Sequence, residues 1–67
     1  MSESVIYSVP AIHCAHCEMS IREEVSEVVG VESVDIDLDA KLVTVRGTDL
    51  SDERLRAAIE EAGYEAA

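Results

Sequence analysis

The chain has 67 residues, 15 Asp or Glu against 5 Lys or Arg, giving a formal charge of −10 with both His neutral; 48% of it is apolar, without Phe or Trp. Ordering costs roughly 1.5 kcal/mol per residue, and a core this small offsets that only narrowly, so residues 1–67 are read as a single domain with no deep substrate cavity. The acidic excess repels phosphate backbones and excludes nucleic acid as a partner, and no apolar run approaches the ~20 residues that insert across a bilayer.

Val5, Tyr7 and Val9 alternate with Ser4, Ile6 and Ser8 until Pro10 removes a backbone donor, which predicts a strand over 3–9. Residues 11–16 follow neither period. Ile21, Val25, Val28 and Val29 then recur at helical spacing and predict a helix over 15–29, closed by Gly30. Val34, Ile36 and Leu38 alternate with Ser33, Asp35 and Asp37 in a strand over 32–38 with one wet face. Asp39-Ala40-Lys41 is a short polar turn, and Val43 and Val45 alternate with Leu42, Thr44 and Arg46 in an antiparallel third strand. Ser51 suits the cap of a second helix, with Asp52 and Glu53 in its first turn and Leu55, Ala58, Ile59 and Ala62 as its stripe. Gly63 ends that helix, and 64–67 leave room for a stub of a fourth strand. The order predicts an α+β, ferredoxin-like βαββαβ sandwich, a four-stranded antiparallel sheet with a short last strand and both helices on one face.

The two cysteines, in Cys14-Ala15-His16-Cys17, close almost no loop and contribute little as a structural staple. Met1-Ser2-Glu3-Ser4 lacks the basic start and apolar run of a secretory signal, which points to the cytoplasm and reduced thiols. Their position is more informative than their spacing. At a joint between strand and helix, orphan N–H groups and the positive end of the helix dipole favour thiolate over thiol. Two thiolates converging there suit Cu(I), a soft ion content with two ligands.

The residues Ala11-Ile12-His13-Cys14-Ala15-His16-Cys17 resemble the Gly-Met-Thr-Cys-x-x-Cys loop of the heavy-metal-associated domain family, found in small bacterial or archaeal copper chaperones and in the N-terminal segments of copper P-type ATPases. Ala62-Gly63-Tyr64 is similar to an Ala-Gly-Tyr near the end of bacterial members, and the resemblance runs along essentially the whole chain. It implies Cys14 and Cys17 as the Cu(I) ligands, Ile12 in a Met position that points into the core, and Tyr64 close to the sulfurs. It also implies a chaperone, not an enzyme, that delivers Cu(I) by ligand exchange to a metal-binding domain of a copper-exporting ATPase. Metal-bridged pairing of two chains follows from the same chemistry. Ala11 for Gly and His13 for Thr depart from the family loop and bear on metal preference.

Each feature also has a plainer reading. His13 and His16 are solvated loop histidines, or auxiliary donors that complete a Zn(II) site with the two thiolates. Mercury is a further soft cargo for a similar pair, although the cytosolic start argues against a periplasmic scavenger. A dithiol redox couple is the reading from another class, although the chain lacks an aromatic before Cys14 and a proline facing the pair. A regulatory module of a larger transporter is another. Met19 reads as a surface residue or packing filler, and Tyr64 as core edge or as a cover that limits water at the sulfurs. The glutamates of the first helix read as solvating charge, as salt adaptation, or as a face that steers docking onto a basic partner.

Overall fold

A computed structural model describes residues 2–12 and 15–66, with the side chain of Ala15 left out. The elements are β1 (Glu3–Ser8), α1 (Ala15–Ser26), β2 (Val31–Asp37), β3 (Leu42–Gly47) and α2 (Asp52–Glu61). The sheet runs β1-β3-β2, antiparallel throughout. Its register lines up Val5, Val45 and Val34 in one row and Tyr7, Val43 and Ile36 in the next. The alternation read from the sequence therefore becomes one apolar face, with Ile6 left on the other at 61% exposure. Against that face α1 sets Cys17, Ile21 and Val25, four residues apart, and α2 sets Leu55, Ala58 and Ile59. Burying each large aliphatic side chain contributes about 1.5–3 kcal/mol.

Local chemistry fixes the joints. Asp37 Oδ1 accepts from the N–H of Asp39 (3.0 Å) and Ala40 (3.1 Å), folding the β2–β3 turn. Ser51 caps α2 by accepting from the Arg54 N–H at 3.4 Å. Two glycines meet where α1 hands over to β2. Gly30 has φ +93°, and the Thr48 N–H donates to its carbonyl at 2.9 Å. A Cβ at Gly47 would collide with that same Gly30 oxygen.

The structure departs from the sequence reading in two places. The helix predicted over 15–29 stops at Ser26. The Ser26 hydroxyl donates to the Glu23 carbonyl at 3.1 Å, and Glu27 and Val28 bond back only three residues, to Glu24 and Val25. Val29 is consequently 76% exposed. The second departure is the stub of a fourth strand, which does not form over 64–66; Ala67 lies outside the described residues. Tyr64 donates its N–H to Ile59 O (3.1 Å) and Gly63 to Glu60 O (2.9 Å), a helix-closing motif with Gly63 at φ +96°. The first donor of that stub is thus spent on the end of α2. The ferredoxin-like sandwich of a sheet with two helices on one face is otherwise as the sequence predicts.

Candidate metal centre

β1 and α1 are joined by a segment whose entry is tightly fixed. After β1, the Val9 N–H donates to the Lys41 carbonyl at 2.9 Å, and the Ile12 N–H turns back onto Val9 O at 3.1 Å. The Ile12 side chain is fully buried, so the position that the resemblance assigns to the core is in the core. Its carbonyl accepts from Lys41 Nζ at 2.6 Å. Backbone and side chain of Lys41 thereby tie the β2–β3 turn to the residues that lead into the cysteines.

At the far side α1 begins at Ala15, and Cys17 occupies its first turn at 7% exposure, in the buried cluster with Ile21 and Val25. That turn carries N–H groups with no intrahelical partner, the polar end on which a thiolate is stabilised. His16 is exposed, and its carbonyl accepts from the Ser20 hydroxyl at 3.3 Å. Met19 is 58% exposed and does not fill the core. Tyr64 is half-buried and lines a shallow cleft with Pro10, Ala11, Gly63 and Glu65, which brings the end of α2 against the same segment. His13 and Cys14, two of the sequence-predicted site residues, lie outside the described residues.

The sequence reading passed over Lys41, which it took only as a turn residue. Nothing local marks it, because its contact with Ile12 spans 29 positions and depends on how β1 and β3 pair.

The sequence pattern of the heavy-metal-associated domain matches residues 6–65. The chain belongs to the heavy-metal-associated domain family. It is a heavy-metal-binding domain of the chaperone or transport type, not a catalyst. Within the family it is 32% identical, over 65 residues and 94% of its length, to the mercuric transport protein periplasmic component of Pseudomonas fluorescens. It spans 71% of that protein, and 45% of an isoprenylated heavy-metal-associated protein of Arabidopsis thaliana that is also 32% identical. Among solved structures, the CopZ metallochaperone superposes with a TM-score of 0.92 at 27% identity, covering 97% of this chain and 100% of that one. A copper-binding domain from HMA7, a P-type ATPase, superposes with a TM-score of 0.89 at 26% identity, covering 100% and 92%. The heavy-metal-associated relatives therefore include both copper and mercury proteins.

Proposed function

We propose that the chain is a cytoplasmic copper chaperone, a single domain that carries one Cu(I) between Cys14 and Cys17 and passes it to a metal-binding domain of a copper-exporting P-type ATPase. The observation that carries this is the placement of Cys17. It sits in the first turn of a helix pinned by Ile21 and Val25, three residues after Cys14, with the loop entry fixed at Ile12. A soft, two-coordinate ion needs only those two sulfurs. The likeness to the CopZ metallochaperone and to the copper-binding domain of a P-type ATPase supports both cargo and recipient.

Transfer proceeds by ligand exchange. A partner thiolate bonds the ion first, giving a three-coordinate intermediate, and one of the chain's own sulfurs then leaves. His13 and His16 are auxiliary donors in that step, and the exposure of His16 keeps it accessible. Tyr64, beside Pro10 and Ala11, limits water at the sulfurs. The exposed acids Glu23 on α1 and Glu27 just after it favour a basic docking face on the recipient.

Mercury is the second reading, favoured by the 32% identity to mercuric transport proteins. Anaerobic competitive titrations with Cu(I), Hg(II) and Zn(II) decide between them. The copper reading expects one Cu(I) per chain, held far more tightly than Zn(II), and loss of binding in Cys14→Ser and Cys17→Ala. Tight Hg(II) binding beside weak Cu(I) binding replaces the cargo, and wild-type Cu(I) affinity in either cysteine variant sinks the site. Sedimentation of the loaded chain reads out a metal-bridged homodimer.

A further inference from the structure

Lys41 combines a hairpin-turn geometry with a side-chain contact that a turn residue does not need. Its φ of 58° lies in the left-handed region, where a side chain costs about 1–2 kcal/mol and glycine costs nothing. Its carbonyl accepts from Val9, and its ammonium donates to the Ile12 carbonyl at 2.6 Å in a part-buried contact. Ile12 is then held three ways: side chain in the core, N–H on Val9, and C=O on Lys41. Two residues further along the chain is Cys14.

The charge balance gives the contact a second consequence. Of the chain's five cations, Arg22 lies beside Glu18 (3.8 Å) and Arg56 is bonded to Asp52 (3.0 Å). Lys41 instead places its charge against the segment that leads to the cysteines. A metal ion of charge +1 held by two thiolates leaves a net charge of −1, and the chain already carries −10. A cation beside the loop offsets that repulsion in a way that a neutral hydrogen-bond donor does not.

We propose that Lys41 is the positioning residue of the metal loop: its ammonium clamps the Ile12 carbonyl, two residues before Cys14, and so pre-organises the entry to the metal pair. The proposal rests on Cys14 and Cys17 being the metal pair. Outer groups that orient metal ligands are commonly worth 10–100-fold in affinity, and the strained backbone supplies a way to separate that role from simple stability.

Lys41→Gly removes the ammonium and the left-handed strain together, whereas Lys41→Arg keeps a cation on a stem of similar reach. In anaerobic competition with bicinchoninate, Lys41→Gly is expected to bind Cu(I) about tenfold more weakly than wild type. Its melting temperature is expected to stay level or rise, because glycine relieves the backbone. Lys41→Arg is expected to stay within roughly threefold of wild-type affinity, since the charge-assisted bond survives. Wild-type affinity in Lys41→Gly overturns the proposal. A loss that tracks a fall in melting temperature and is not rescued by Arg assigns Lys41 to the scaffold and overturns it too. The unaltered chain is titrated alongside. Should it take up no Cu(I), the cargo reading and this proposal both fall; if it binds normally beside an unchanged Lys41→Gly, only the role of Lys41 falls.

Discussion

The Tyr7 hydroxyl donates to Asp52 Oδ1 at 2.6 Å, bonding the edge strand β1 to the first turn of α2. Arg56 completes the arrangement, its Nε donating to Asp52 Oδ2 at 3.0 Å and its guanidinium 5.3 Å from the Tyr7 ring centroid. Burial, and then the hydrogen bond to the carboxylate, push the Tyr7 phenol up to about 12. The same hydroxyl, followed by Arg56, holds the Asp52 carboxyl below its usual range.

The two shifts bound stability at opposite ends of the pH scale. The folded state holds the Tyr7 proton more tightly than the unfolded chain, so that contribution is complete below pH 10 and is lost as pH rises toward about 12. The slope in that window is about 1.4 kcal/mol per unit. Asp52 acts in reverse, contributing above the unfolded carboxylate range and losing its contribution as pH falls through the lower folded value. Ultraviolet titration of the phenols is expected to show one tyrosine with a midpoint near 12, moving down in Asp52→Asn. An unmoved midpoint in that variant would mean that burial alone sets it.

Gly47 and Gly30 leave no room for a methyl group. A Cβ on Gly47 runs into the Gly30 carbonyl oxygen, which also accepts from Thr48, so the clash is with backbone that cannot swing aside. Gly47→Ala is expected to cost about 2–3 kcal/mol, roughly 10–20 °C in melting temperature for a domain of this size. Gly63→Ala, where a Cβ meets nothing within 4 Å but φ is +96°, should lose less. Equal losses at both positions would show that strain, and not the collision, dominates.

What the sequence makes legible is whatever repeats locally. The pairing of Tyr7, Val43 and Ile36 follows from alternation with period two, and the α2 stripe of Leu55, Ala58 and Ile59 from the helical period. Cys17 at a helix start is legible for the same reason, since the helical spacing of Ile21 and Val25 counts back to it. The misses are all events that a period does not encode. The Ser26 hydroxyl competes for a carbonyl, the Tyr64 N–H closes α2, and the links Lys41 to Ile12 and Tyr7 to Asp52 join positions 29 and 45 residues apart.

Self-repulsion gives a salt prediction. The chain carries −10, and the ion pairs among the described residues, Arg22 with Glu18 and Arg56 with Asp52, are both i, i+4 pairs at the surface, of small net value. Screening should therefore relieve more repulsion than it removes attraction. Between ~0.05 M and ~1 M sodium chloride, where the screening length falls to about 3 Å, the metal-free chain is expected to gain about 1 kcal/mol, or roughly 4–8 °C. A melting temperature that is flat or falls with salt would show that the acids are already accommodated.

Cys17 answers to two demands, because a residue proposed to bind metal also belongs to the buried cluster with Ile12, Ile21 and Val25. In the reduced, metal-free chain these demands separate. Cys17→Ala removes one sulfur from the core and is expected to cost about 1 kcal/mol. Cys17→Ser is closer in size but buries a hydroxyl, which is more strongly hydrated than a thiol, beside Ile21 and Val25, at about 1–3 kcal/mol, so serine should melt below alanine even though it is the more conservative shape. The reverse order would mean that the serine hydroxyl is well hydrated at residue 17, and the site would then be wetter than its 7% exposure implies. Because a partly unfolded serine variant loses metal for the wrong reason, alanine is the substitution at Cys17 in which lost Cu(I) binding reports a lost ligand.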